Sequence, residues 1–134
     1  MKTLFYPRVD KAKLFELGYI FEKSSHTRGS TIDLSIIELK DKLHPIKAIS
    51  RKLNDGSKIS YLEDGTLDMG SAFDLFDQAS HYDNELILPE HKLRRTYLKL
   101  VMESCGFKPY AEEWWHFTLA NEPFSDKYYD FIVE

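Results

Sequence analysis

Pro89-Glu90-His91-Lys92-Leu93-Arg94-Arg95-Thr96-Tyr97-Leu98-Lys99-Leu100-Val101-Met102-Glu103-Ser104-Cys105-Gly106 is the stretch that decides the fold class, together with Phe107–Tyr110 and Trp114–Leu119 behind it. A proline at the first helical position loses no hydrogen bond, since that N–H has no partner inside a helix. A glycine just past the end supplies the left-handed residue that closes one. Between them Leu93, Tyr97, Leu100, Val101 and Met102 recur at helical spacing and predict the buried stripe. Glu90, His91, Lys92, Arg94, Arg95 and Lys99 are left for a solvated face. The two stretches after Gly106 read as the arms of a strand pair. One long helix among mostly sequential strands gives an α+β domain.

Working outward, Asp10 can cap a short helix whose Leu14 and Leu17 face inward and whose stop is Gly18. Tyr19-Ile20-Phe21 reads as a short strand, and Ser24–Ser30 as a loop shaped by its glycine and hydroxyls. From Thr31 to Leu39, Ile32, Leu34 and Ile36 alternate with Asp33, Ser35 and Ile37, a strand pattern. Residues 40–70 read as a surface excursion. In it Ile59, Tyr61 and Leu62 form a small hairpin between the turn signals Asn54-Asp55-Gly56 and Asp64-Gly65. Phe73–Asp77 leads into a polar loop over residues 80–84, and Tyr128–Val133 closes the chain. With no repeat or linker, residues 1–134 form one small domain: a central antiparallel sheet with flanking helices.

The composition is that of a folded chain, with 43% hydrophobic and 30% charged residues. Eighteen Lys and Arg against 22 Asp and Glu give a net charge of -4 with no basic block, so nucleic acid has no electrostatic footprint. A small zwitterionic or cationic ligand suits that balance better. Cys105 is the only cysteine, which excludes an intrachain disulfide and a cysteine zinc site. At the end of an apolar helix it is expected to pack as a small hydrophobe. No apolar run reaches the roughly 20 residues needed to span a bilayer, and residues 1–8 carry no signal-peptide core, so the expectation is a cytoplasmic protein without a membrane partner.

Two clusters could carry chemistry: His26 with Asp33, and Glu113-Trp114-Trp115-His116. A catalytic zinc takes three His or carboxylate ligands and leaves one position open. Two histidines and one aspartate leave such an ion cationic, able to acidify water, with Glu113 spare as general base. Residues three apart in a regular strand face opposite sides, so Glu113 must sit in a turn or bulge for it and His116 to converge. On spacing alone the same residues also read as a hydrogen-bonded structural pair beside a tryptophan core, or as ligands of a non-haem iron. His44 and His81 read as loop residues.

Ser24-Ser25-His26-Thr27-Arg28-Gly29-Ser30-Thr31-Ile32-Asp33 resembles the SxHxxGxAxD signature of zinc D,D-peptidases, with Thr31 where the motif usually has alanine. Glu113-Trp114-Trp115-His116 resembles their closing ExWH element. EWWH in place of EPWH is similar to the D-alanyl-D-alanine dipeptidase family rather than to the carboxypeptidases, as are Met69–Asp74 and the ending Tyr129–Val133. The resemblance implies zinc-dependent hydrolysis of the D-Ala-D-Ala dipeptide, with one zinc ion per chain on His26, Asp33 and His116 and Glu113 as general base. It further implies that Asp74 receives the free amine and that Ser24 lies beside the substrate. A carboxylate is the natural charge-assisted partner of an ammonium. Family members carry an N-terminal segment, including an oxyanion-stabilising arginine, before the region matching Tyr6. The expectation is therefore a chain truncated relative to the family, with a catalytically impaired zinc-binding remnant or a related D,D-carboxypeptidase as the alternatives, and with apolar surface free for self-association.

Overall fold

The computed structural model describes residues 2–130, so Phe131, Ile132 and Val133 of the closing motif lie outside the described residues. Its elements are α1 (Lys2–Phe5), β1 (Thr31–Asp33), β2 (Lys47–Lys52), β3 (Lys58–Glu63), α2 (Pro89–Ser104), β4 (Phe107–Tyr110) and β5 (Glu113–Leu119), with three 3-10 turns at Lys11–Lys13, Ser25–Arg28 and Gln78–Ser80. One sheet has the order β1-β5-β4 and the other is the hairpin β2-β3, with every pairing antiparallel. The α+β class stands. Among the described residues, α2 is the only helix longer than four residues.

Two apolar clusters hold the chain together. Met69, Leu98, Trp114, Trp115 and Phe117 form one, with Met102 and Phe107 packed against it. This cluster joins α2 to the inner face of the three-stranded sheet. Leu53, Ile59, Tyr61, Ala72, Leu75, Ala79 and Ile87 form the other. The hairpin is therefore no surface excursion: β3 turns Ile59 and Tyr61 into a core. Its turn lies at Asn54-Asp55-Gly56 itself, where Asp55 accepts from Ser57 N–H at 2.9 Å, instead of between that turn and Asp64-Gly65.

The expected face of α2 is overturned. Leu93, Tyr97, Leu100 and Val101 are exposed, and His91, Arg95 and Leu98 are buried; of the expected stripe only Met102 packs inward. The cause is polar. The Arg95 guanidinium, 1% exposed, donates to the carbonyls of Met69 (2.7 Å), Ala79 (2.9 Å) and His81 (2.9 Å) and to Ser71 Oγ (3.0 Å). Ser71 also accepts from Trp114 Nε1 at 3.0 Å. His91 sits against Gly70 and lies 3.5 Å from Asp68. Residues 69–81 are thus bonded from within, which places the expected polar loop partly inside, with Ser80 fully buried.

Smaller expectations divide. Asp10 caps its turn by accepting from Ala12 N–H, and Leu14 is buried, but the turn is 3-10 and Leu17 is exposed. Tyr19–Phe21 forms no strand, and β1 ends at Asp33 although Leu34 and Ile36 continue against the core. Cys105 does end the helix, but it is exposed. No helix among the described residues is long and apolar enough to cross a membrane.

Removing this buried donor takes one hydrogen bond from each of four acceptors, although His81 O keeps Asn84 Nδ2 and Ser71 Oγ keeps Trp114 Nε1. Arg95→Leu is therefore expected to cost on the order of 3 kcal/mol or more in urea denaturation, while Leu93→Ser stays within about 0.5 kcal/mol. Equal effects of the two substitutions would refute this assignment of faces.

Candidate metal centre

Strand pairing brings the first two residues together. β1 and β5 run antiparallel with Asp33 directly opposite His116, so both side chains rise from one face of the sheet while Trp115 and Phe117 enter the core on the other. Asp33 Oδ1 lies 3.1 Å from His116 Nδ1. His26 arrives from the 3-10 turn just before β1. That turn is capped by Ser24, whose Oγ accepts from His26 N–H at 3.3 Å, and is closed by Gly29 at φ 78°. Only glycine adopts that angle without cost, and it lets the chain reverse into β1. His26 Nε2 then lies 3.3 Å from Asp33 Oδ2, and the rings of His26 and His116 meet edge to face at 4.9 Å.

Glu113 reaches the same place through a defect in the ladder. Pro109 pairs with Phe117, yet Tyr110 pairs with Glu113, so the register shifts between them. This irregularity turns Glu113 toward His116, 3.5 Å from Oε2 to Nδ1, despite the three-residue spacing. The bulge expected from parity is where the ladder breaks.

Asp74 lies between two anchors. Phe73 stacks on Trp115 at 5.5 Å in one apolar cluster, and Leu75 is fully buried in the other. The tight turn forces Asp74 to φ 58°, a left-handed conformation that aspartate tolerates better than most residues. Its carboxyl, with Ser24, His26, Asp33, Glu113 and His116, lines a cleft of about 240 Å³. That is below the range of drug-sized pockets and suits a small ligand. Tyr19, Phe21, Phe76 and Tyr110 complete the walls. Sequence reading passed over these four, although the aromatic run beside the His26 loop was a usable signal. A larger hollow of about 570 Å³ is lined by Ile32, Phe107, Leu119 and Phe124 among others, without histidines or carboxylates.

The charges in the cleft are out of balance. Burial first, then the negative charges of Asp33, Asp74 and Glu112, push Glu113 up to about 8. Burial and Asp33 also raise Asp74, against a smaller opposing effect of His26. No arginine lines the cleft among the described residues. Arg8 pairs with Asp77, Arg28 with Glu122 and Arg51 with Asp68, while Arg94 donates to the Asp68 carbonyl. His26, Asp33 and His116 each offer a ligand atom, all within 4.8 Å of one another. Asp33 Oδ1 is buried and receives no hydrogen bond. A buried lone pair without a donor, beside two imidazoles and two further carboxyls, fits a cation held by these three residues.

Residues 57–134 match the family model described as D-ala-D-ala dipeptidase. Over 132 residues the chain is 36% identical to a D-alanyl-D-alanine dipeptidase of Enterococcus faecalis, covering 98% of this chain and 54% of that protein. The corresponding protein of Enterococcus faecium is 34% identical over 133 residues (99% and 55%), and that of Streptomyces coelicolor 34% over 132 (98% and 54%). The chain spans about half the length of the curated relatives it matches.

A carboxyl raised in the folded state binds a proton that the unfolded chain has already released, so stability falls as pH climbs between the two values. In chelator, the chain is expected to lose thermal stability relative to Glu113→Gln from about pH 4.5 to about pH 8, with the gap narrowing once metal is added. Parallel melting profiles for the two proteins across this range would show that Glu113 is not held neutral by burial.

Proposed function

The chain belongs to the D-Ala-D-Ala dipeptidase family of peptidases, and from that premise we propose that it is a zinc-dependent dipeptidase that hydrolyses D-Ala-D-Ala. The observation that carries this reading is the convergence of His26, Asp33 and His116 within 4.8 Å, with Glu113 beside them in one small cleft. His26, Asp33 and His116 would hold the zinc ion, which would supply a Lewis acid able to polarise the scissile carbonyl and to acidify water.

The remaining work falls to the chain's own groups. The Glu113 carboxylate takes a proton from the attacking water and returns it to the leaving amine as the peptide bond breaks. Burial and the neighbouring carboxylates hold the Glu113 carboxyl up to about 8, so its ionised form is a strong enough base to take that proton. Asp74 receives the substrate ammonium by a charge-assisted hydrogen bond. Ser24 shapes the floor, its hydroxyl committed to capping the His26 turn. Tyr19, Phe21, Phe76 and Tyr110 limit water around the dipeptide.

One observation favours a second reading, a zinc-binding chain with impaired catalysis. Among the described residues no arginine stands at the cleft to meet a developing oxyanion, and loss of such a donor typically costs on the order of 10²–10³ in rate.

Zinc is expected to bind at one ion per chain by atomic absorption after gel filtration, with stoichiometry lost in Asp33→Ala and His116→Ala and kept in Glu113→Ala. Incubated with D-Ala-D-Ala, the zinc-loaded chain should release free D-alanine, and Glu113→Ala should not. Zinc bound without turnover would select the second reading; no zinc bound would remove both.

A further inference from the structure

A second hollow of about 290 Å³ adjoins the metal cleft and shares Phe21, Ser25, Tyr110 and His116 with it. The two hollows lie around one imidazole. Their charges differ: the first holds Asp33, Asp74 and Glu113, whereas the second is lined by Lys23 and Arg28 and no carboxylate. Arg28 is already spent, since its guanidinium makes paired bonds of 2.6 and 2.9 Å to Glu122. Lys23 has no carboxylate partner among the described residues. Its ammonium rests 5.2 Å above the Tyr128 ring, a contact that holds the cation at the hollow without neutralising it.

A free dipeptide carries an ammonium at one end and a carboxylate at the other, at most about 7 Å apart when extended. A site that cleaves it must meet both charges inside one small space. We propose that Lys23 receives the terminal carboxylate of the dipeptide, as the cationic pole opposite Asp74, with the scissile bond between them at His26, Asp33 and His116. This inference rests on the dipeptidase reading and adds to it the residue that selects for a free C-terminus. The four-carbon stem of a lysine lets the ammonium swing from the Tyr128 ring to an arriving carboxylate. A peptide amide or a longer peptide lacks the charge at that position and gives up that contact.

The test is a calorimetric titration of zinc-loaded chain in a Glu113→Gln background, where ligand is not consumed. D-Ala-D-Ala is compared with its C-terminal amide, and Lys23 with Lys23→Ala and Lys23→Arg. The parent is expected to prefer the acid by about tenfold, the preference to vanish in Lys23→Ala and to return in Lys23→Arg, as a charge-assisted contact requires. Lys23 is exposed, so neither variant threatens the fold. A tenfold preference that survives Lys23→Ala overturns the inference and leaves the dipeptidase reading in place. A zinc-loaded parent that binds neither ligand overturns that reading, and this inference with it.

Discussion

The guanidinium of Arg95 is the joint on which the architecture turns. It leaves the long helix at a position where helical periodicity predicts solvent, and instead binds three carbonyls and a hydroxyl of residues 69–81. Burial pulls its pKa down to about 9, so the group stays charged at neutral pH and its hydrogen bonds remain strong. A buried cation with no carboxylate partner is costly. Here the compensation is a set of three carbonyl dipoles and one hydroxyl aimed at a single guanidinium. The same contacts fix both ends of the segment that presents Asp74, so a helix residue far from any chemistry determines where one wall of the cleft stands.

The cleft follows from two ordinary rules of sheets and one breach of them. Antiparallel pairing makes Asp33 and His116 neighbours, and alternation sends Trp115 and Phe117 into the core beneath. A regular ladder would then aim Glu113 away from His116. The shift between Pro109 and Tyr110 breaks the alternation and turns Glu113 to the face that carries His116. Bulges recur beside functional sites because they redirect one side chain without dismantling the strand.

Legibility in the sequence followed the range of the physics involved. The His26 turn, the bulge at Glu113 and the strand pair after Gly106 were readable because caps, parity and turn residues act over a few positions. The face of α2 was not. Leu93, Tyr97, Leu100 and Val101 form a convincing stripe, and only the distant carbonyls of residues 69–81 make Arg95 the inward group. The hairpin failed similarly: its short apolar positions look peripheral until Leu75, Ala79 and Ile87 arrive from elsewhere to cover them. The aromatic walls of the cleft come from three separated stretches, so only Tyr19 and Phe21, beside the His26 loop, had a local signal, and Phe76 and Tyr110 had none. The three residues of the candidate metal cluster were legible as a set, whereas the identity of the buried polar anchor was not.

The cleft also sets stability against function. Among the described residues, Asp33, Asp74 and Glu113 gather around two imidazoles with no arginine to offset them, and Asp33 Oδ1 is buried without a hydrogen-bond donor. Each departure opposes folding, and the tryptophan-rich cluster below supplies the compensating burial, roughly 1.5–3 kcal/mol for a large apolar side chain. A cation binding only the folded chain would draw on that stored imbalance, so metal affinity and folding become linked quantities. Lys23 and Asp74 extend the same logic across the site. Asp74 lines the cleft and Lys23 the hollow beside it, so the two charges stand in adjoining spaces that share the His116 imidazole, each available to the matching end of a zwitterion. The arrangement is poor for an empty protein and well suited to a filled one.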